Sequence, residues 1–166
     1  MPEIAIVGVH EKSMLMLQRR VGGILKGIAN VSICTPEKAE SSRASVFICY
    51  SHGYRLALMK EKYKNKKIIL GVELAILPAG IRAIQTLPLY KKLGIVAEHR
   101  RCANWFFVEV VRSGISDNPV IIGTFEEMPV MQVDAFVVPE ELADLIPKGV
   151  PADKVILVPR TISPWS

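Results

Sequence analysis

Six basic side chains follow short apolar runs of the kind that form buried β-strands. They are His10, His52, His99, Arg100, Arg101 and Arg160. Hydroxyl groups stand at similar positions, at Thr35, Ser51, Thr124 and Thr161. In open parallel sheets, ligands bind beyond the carboxyl ends of the strands. Guanidinium groups bind carboxylate or phosphate with two hydrogen bonds, and helix N-termini add backbone donors. The pattern therefore predicts a pocket for a small organic anion, lined by these basic and hydroxyl side chains.

Cysteine chemistry is the alternative interpretation of the same regions. Cys49 ends an apolar run three residues before His52, and Cys102 falls in the first turn of a predicted helix beside Arg100 and Arg101. A thiolate is stabilised at a helix N-terminus and near positive charge, so Cys102 is the more reactive candidate nucleophile. A buried strand cysteine such as Cys49 is more often inert.

A metal site built from the histidines is a further alternative, with Cys34 or Cys49 as a sulfur ligand. The chain has no His-x-x-x-His or Cys-x-x-Cys cluster, so such ligands would have to converge from separate strands. The glycine-rich loops that hold nucleotide phosphates do not occur either. The sequence therefore predicts neither a metal nor a cofactor. The three cysteines, an odd number without metal-type spacing, favour a reduced, cytoplasmic setting.

A constant spacing of 89 residues relates the first half of the chain to the second. Ile-Val-x-x-His at residues 6–10 recurs at residues 95–99, and the offset continues without a gap from Ile6 to Val158. Identical residues occupy ten of the paired positions. Repetition at a fixed spacing indicates two copies of one supersecondary plan. Function is then expected in the crevice between the copies.

Apolar runs alternate with helical stripes in both halves. The runs predict buried parallel strands at residues 3–9, 31–35, 46–50, 67–72, 93–97, 120–124, 135–138 and 155–158. Apolar residues at spacings of three and four, with N-terminal prolines, predict helices at residues 14–28, 54–62, 78–84, 102–111 and 140–146. Thr35 before Pro36 is typical of a helix N-cap. Alternating strands and helices favour right-handed crossovers and parallel sheets covered on both faces.

The repeat and the alternation together predict an α/β fold of two similar lobes, each a parallel sheet flanked by helices, with a cleft between them. The N-terminal lobe is expected at residues 1–88 and the C-terminal lobe at residues 89–166, with a closing hinge near Leu87–Tyr90. The last residues, through Trp165, have no clear period and are expected to pack back across a lobe. No Gly/Ser/Pro linker separates the halves, so we expect contiguous lobes.

Charge is unevenly spread along the chain, whose net charge is +5. Residues 1–88 hold 13 Lys and Arg against 6 Glu, whereas residues 89–166 hold 8 against 10 acidic residues. The lysines of residues 60–67 predict a solvated loop rather than a nucleic-acid reader, so direct nucleic-acid binding is not expected. No apolar run approaches the roughly 18 residues that span a bilayer, so no membrane partner is expected. The sequence also leaves a homodimer as a possible partner. At least one aromatic ring of Trp105–Phe107 must point away from the sheet, where it is available for a subunit contact.

Residues 44–97 follow one order of apolar strands, a polar turn and helices. The segments are Ser45–Gly53, Leu56–Lys60, Ile68–Val72, Gly80–Ile84 and Leu93–Val96. This order resembles the N-terminal effector-sensing domain of propionate-catabolism activators. The resemblance implies two α/β lobes that sense a small tricarboxylate or related acid in their cleft. The ATPase and DNA-binding parts of such activators do not occur in these 166 residues.

Paired lobes are also similar to the aspartate/glutamate racemase group, in which one cysteine from each lobe flanks the α-carbon of the substrate. Cys49 matches the first of these cysteines, but its partner in the repeat is Val138. The principal hypothesis is therefore a sensory or regulatory module that holds a small anionic metabolite, a carboxylate or phosphate, in the cleft. The alternative is a cleft enzyme that is cysteine-based or metal-dependent.

Overall fold

The computed structural model describes residues 1–114 and 117–164 of the chain. Its strands and α-helices are, in chain order, β1 (Glu3–Val7), α1 (Glu11–Ile24), β2 (Asn30–Cys34), α2 (Pro36–Ala39), β3 (Val46–Tyr50), α3 (Arg55–Lys62), β4 (Ile68–Val72), β5 (Leu74–Ile76), α4 (Pro78–Gln85), β6 (Leu93–Ala97), α5 (Arg100–Arg112), β7 (Val120–Thr124), β8 (Ala135–Pro139), β9 (Val155–Val158) and β10 (Arg160–Ile162). Two parallel four-stranded sheets flanked by helices confirm the predicted α/β fold. Within the described ranges, no helix is both long enough and apolar enough to cross a membrane.

The first compact unit comprises Met1–Leu74 and the segment from Ile162 onward. Its sheet has the order β2-β1-β3-β4. Side chains alternate between the two faces of a strand, and both faces are covered. On one face, Leu17 of α1 packs with Ile6 and Ile48. On the other, Met59 of α3 packs with Phe47. Continuous apolar strands are expected for a parallel sheet buried on both sides.

The second compact unit comprises Ala75–Thr161 and repeats this plan. Its sheet has the order β7-β6-β8-β9. Phe106 of α5 and Ile84 of α4 pack with Ile95 on one face. The opposite face is covered by two 3-10 segments, Met128–Val130 and Glu140–Leu145, rather than by α-helices. The two units are therefore similar in sheet topology and different in their covering elements.

The 89-residue spacing holds in the pairing of the inner strands. β1 and β3 pair at Ile4 and Val46, while β6 and β8 pair at Leu93 and Ala135, each 89 residues later. The pairs β1–β2 and β6–β7 keep the same relation. A one-residue slip of a strand would turn its whole apolar set to the other face, so burial fixes this register. The sequence repeat is thus a repeat of strand pairing.

The fourth strands depart from the constant spacing. Phe47 of β3 pairs with Ile69. A constant spacing of 89 residues would pair Phe136 of β8 with Val158, but Phe136 pairs with Val155. The prediction of an offset without a gap is therefore wrong at β9. The connection to the fourth strand holds an eight-residue α-helix in the first unit and a six-residue 3-10 segment in the second. These connections differ in shape, so the strands that follow them start in different register.

The predicted helix at residues 140–146 is the 3-10 segment Glu140–Leu145. Ile146, the residue after it, is extended with ψ of 128°. Pro147 follows directly, and a residue before proline is pushed out of the α region by its Cδ atom. The segment therefore ends before it can complete the hydrogen bonds of an α-helix.

The boundary between the units differs from the predicted division at residue 88. The chain leaves the first unit after Leu74 and returns to it at Ile162. β5 and β10, which the sequence did not predict, pair with each other at these crossings. Ile84 of α4 is buried in the core of the second unit, and Ile162 packs against the core of the first. Each segment joins the unit in which its apolar side chains are buried. Trp165 lies outside the described residues.

Candidate functional site

In both sheets the direction of winding changes between the first and third strands. From β1 the chain moves to β2 on one side, and then returns to place β3 on the other side of β1. β6 and β8 flank the same reversal in the second unit. Ligands of open α/β sheets bind beyond the carboxyl ends of the strands at this point. The residues that follow β1 and β3, and those that follow β6 and β8, are therefore the candidates within each unit.

His10 and His52 lie around the first turn of α1 in the first unit. His10 is the N-cap residue of that helix. The Tyr50 hydroxyl, at the end of β3, donates a hydrogen bond to the carbonyl oxygen of Ser13 at 3.0 Å. The ring of His52 stacks on that of Tyr50, with centroids 5.3 Å apart and planes 12° from parallel. Tyr50 thus positions His52 beside the helix N-terminus. We call His10, Tyr50, Ser51 and His52 the histidine edge.

Ser51 contributes a buried hydroxyl to the histidine edge. Its Oγ is buried and has no hydrogen-bond partner among the described atoms. Gly71 of β4 makes room for this turn, since a Cβ at Gly71 would lie 3.2 Å from the Ser51 Cβ and 2.6 Å from Leu56 Cδ2. A buried hydroxyl without a partner costs about 1–3 kcal/mol. The hydroxyl therefore suits a polar ligand atom as its partner.

Thr35 stands farther from the reversal point than the histidine edge. It is the N-cap residue of α2 and follows β2, an outer strand of the sheet. β1 lies between β2 and β3. Its side chain makes no capping hydrogen bond to the four-residue helix. The predicted cap position is confirmed, while a ligand-binding role for Thr35 stays a prediction.

His99, Glu98 and Cys102 gather at the carboxyl end of β6 in the second unit. His99 is the N-cap residue of α5, and its Nδ1 accepts the backbone N–H of Cys102 at 3.3 Å. The Cys102 Sγ lies 3.3 Å from His99 Nε2. Burial, with the charge and hydrogen bond of Glu98, raises the pKa of the Cys102 thiol to about 12, against the charges of Arg160 and Arg101. We call Glu98, His99 and Cys102 the cysteine turn.

The guanidinium of Arg100 is engaged within the second unit. Its Nη2 donates to both carboxylate oxygens of Glu127 at 3.1 Å, and its Nη1 donates to the carbonyl oxygen of Ile122 at 3.1 Å. The Thr124 hydroxyl donates to the same carboxylate at 3.1 Å. Arg100 and Thr124 therefore hold the turn after β7. A ligand-binding role for Arg100 and Thr124 stays a prediction, as it does for the exposed Arg101.

Arg160 lies inside the second unit rather than at an open edge. Its Nη1 donates to both oxygens of Glu109 at 3.1 and 3.0 Å, and its Nη2 donates to Glu141. The three side chains are 8%, 10% and 4% exposed, in the order Arg160, Glu109, Glu141. The guanidinium also lies over the Phe106 ring, 5.3 Å from its centroid. The structure therefore places Arg160 in an internal ion cluster, and its ligand-binding role stays a prediction. Thr161, next along, belongs to β10.

The three thiols have little nucleophilic character. Burial raises the pKa of Cys34 and of Cys49, the latter against the charges of Arg55 and Lys60. Cys49 is fully buried on β3. The pKa of Cys102 is raised as well, so the helix N-terminus and nearby arginines do not make it reactive. Since the thiolate is the nucleophile, these directions weigh against the cysteine-based enzyme.

The sequence did not identify the carboxylates that engage the predicted basic residues. They are Glu109, Glu127 and Glu141. Tyr50, which positions His52, was missed as well. One signal was visible, since residues 89–166 hold more acidic than basic residues. Such an excess indicates that the arginines of this half have local partners.

Comparison with family models, with curated proteins and with solved structures gives no match for this chain.

Proposed function

We propose that the chain is a ligand-binding module with a sensory or regulatory role, and that it binds a small organic anion at the histidine edge. The arrangement of two histidines around the first turn of α1 carries this proposal. The first-turn amides of a helix have no intrahelical carbonyl to bond, and the helix dipole favours an anion there. A carboxylate or phosphate is therefore the ligand chemistry that this edge suits.

The buried Ser51 hydroxyl supports a polar ligand at the same place. It offers one donor and two acceptor positions, and no described protein atom takes them. His52 is held against the helix through Tyr50, so the edge is organised before a ligand arrives. Preorganised groups lose less conformational entropy on binding.

Net charge also favours the first unit for an anion. Residues 1–74 hold 12 Lys and Arg against 6 Glu, and residues 75–161 hold 9 against 10 acidic residues. A positive surface raises the local concentration of an anionic ligand and its association rate. The tricarboxylate implied by the resemblance to the sensing domains of propionate-catabolism activators belongs to this class of ligand.

A thermal-shift screen of dicarboxylates, tricarboxylates and sugar phosphates tests the proposal. A ligand at 100 times its Kd stabilises the folded chain by about 2.7 kcal/mol and raises Tm by several degrees. We expect a hit whose shift falls in His10→Gln and in His52→Gln. Lys64→Gln, an exposed change in the same unit, is the matched control and should keep the full shift.

Two outcomes would contradict this site. If no acid of the panel stabilises the chain, anion binding itself is wrong. If the shift survives in the double variant His10→Gln/His52→Gln but disappears in Arg100→Ala/Arg101→Ala, the ligand binds to the second unit. The folded state of every variant is checked by circular dichroism, so that a lost shift is not a lost fold.

A further inference from the structure

We infer that the cysteine turn, Glu98, His99 and Cys102, is a binding site for a thiophilic divalent cation of the Zn²⁺ type. The inference is argued from residues of the second unit alone and does not rest on the anion site proposed at the histidine edge. A soft sulfur, an imidazole nitrogen and a carboxylate oxygen are the three ligand atoms that Zn²⁺ takes in proteins. The cysteine turn brings these three ligand types together within five residues.

The separation of the sulfur and nitrogen ligand atoms fits one shared ion. Cys102 Sγ lies 3.3 Å from His99 Nε2. Zn–S and Zn–N bonds of about 2.3 and 2.0–2.1 Å at a tetrahedral angle place the two ligand atoms about 3.6 Å apart. The observed pair therefore needs to open by only a few tenths of an ångström. The Glu98 carboxylate is already in hydrogen-bond contact with the Cys102 thiol.

The backbone holds the ligands in place. His99 is the N-cap residue of α5 and Cys102 is its third helical residue, a spacing that brings the two side chains to the same turn. Ala103 and Phe106 of the same helix are buried, which fixes the helix on the sheet. Glu98 and His99 directly follow β6, whose five residues are all buried. A site on a packed strand end and helix start is more precisely positioned than one on a loop.

Charge at the cysteine turn suits a cation. Cys102 is partly buried, and the Glu98 carboxylate lies beside its thiol. A bound cation would offset that charge and displace the thiol proton to solvent, so that thiolate and carboxylate both become ligands. The positive end of the α5 dipole repels a cation. This repulsion is small compared with the free energy of coordination by a thiolate and an imidazole.

Binding at His99 requires a change of tautomer. At present Nδ1 accepts the Cys102 N–H, which places the imidazole proton on Nε2. Coordination through Nε2 moves that proton to Nδ1 and gives up the capping bond, which at 3.3 Å is already long. With three protein ligands, one tetrahedral position stays open, as in zinc sites that bind a further ligand rather than in closed structural sites.

Titration of the metal-free full chain with Co²⁺ tests this site, because cobalt bound to a thiolate gives a near-ultraviolet charge-transfer band. We expect a band that saturates at one equivalent and is removed by competing Zn²⁺. Cys102→Ser should abolish the band. His99→Asn, which keeps a good N-cap residue but removes the imidazole, should weaken Co²⁺ binding at least tenfold. Cys34→Ser is the matched control and should titrate like the unaltered chain.

An absent band in the unaltered chain, or an equal band in Cys102→Ser, would overturn the inference. Equal affinity in His99→Asn would also overturn it, since the imidazole would then not be a ligand. Circular dichroism and denaturant unfolding show whether each variant folds. The Co²⁺ band and the thermal shift with organic anions are separate readouts on the same variants, so a failure of one proposal can be told from a failure of the other.

Discussion

The carboxyl ends of the two sheets carry different side chains on the same framework. In the first unit, two histidines, a tyrosine and a buried serine hydroxyl gather at the first turn of α1. In the second unit, the equivalent helix start carries His99 and Cys102, and the arginines elsewhere in that unit are engaged by carboxylates, Arg100 by Glu127 and Arg160 by Glu109 and Glu141. Strand order and inner register are the same in both. The comparison teaches that a repeated fold keeps the position of a candidate site and does not determine which side chains occupy it.

The framework is conserved between the units because buried strands constrain it strongly. In each inner strand, side chains face apolar cores on both sides of the sheet, so register and side-chain size are restricted together. Polar residues beyond the strand ends carry no such restriction. His10 and His99 occupy equivalent positions, yet His99 caps its helix with a ring nitrogen and the His10 side chain does not.

The largest expected effect comes from breaking the ion cluster that only the second unit has. Arg160→Ala leaves Glu109 and Glu141 as buried carboxylates without their cation. We expect a loss of about 3–5 kcal/mol in the free energy of unfolding, measured by urea denaturation. Arg43→Ala, an exposed change in the first unit, should cost less than about 0.5 kcal/mol.

A loss below 1 kcal/mol in Arg160→Ala would show that the cluster is not buried as described. The triple variant Arg160→Met/Glu109→Leu/Glu141→Leu sharpens the result. Replacing all three charges by apolar side chains removes the uncompensated carboxylates, so much of the stability should return.

An intermediate effect is expected where α4 packs on β9. This contact places α4 in the second unit, although the sequence predicted it in the first. A Cβ at Gly80 would overlap the side chain of Val158. Gly80→Ala should therefore lower the free energy of unfolding by about 1–3 kcal/mol, the usual cost of overpacking. The matched control is Gly22→Ala in α1, where no atom lies within 4 Å of the added Cβ.

Gly22→Ala should stabilise the chain by roughly 0.5–1 kcal/mol, because alanine loses less backbone entropy in a helix. Thermal and urea unfolding of both variants measure the opposite signs. If Gly80→Ala were as stable as Gly22→Ala, α4 would not lie against β9, and the division of the chain at Leu74 would be wrong.

The smallest effect concerns the exposed counterpart of the ion cluster. The Arg100 and Glu127 side chains are 60% and 41% exposed. Because solvent screens such a pair, Glu127→Gln should cost at most about 1 kcal/mol, and less at high salt. Glu126→Gln, the exposed neighbour, is the control for the loss of one negative charge. A cost equal to that of Arg160→Ala would remove the distinction between the two networks.

The sequence by itself determined the alternation of strands and helices and the repetition of one plan. Residues 46–50, 93–97, 120–124 and 155–158 were predicted as strands, and the structure has strands at those bounds. These runs are largely apolar rather than alternating, which is the pattern of a strand in a parallel sheet covered by other elements. Local composition suffices there, because a largely apolar run of four or five residues gains most by lying in a covered sheet.

Only the tertiary structure decided the unit boundary and the partners of the charged residues. Pro78 marks the start of α4 in the sequence, but not which sheet Ile84 packs against. Likewise Arg160 stands just past a strand, as a ligand-binding arginine would, and only the fold shows Glu109 and Glu141 against it. These partners lie 51 and 19 residues away along the chain. Pairings at such distances depend on how helices cross the sheet, and no local pattern of residues records that.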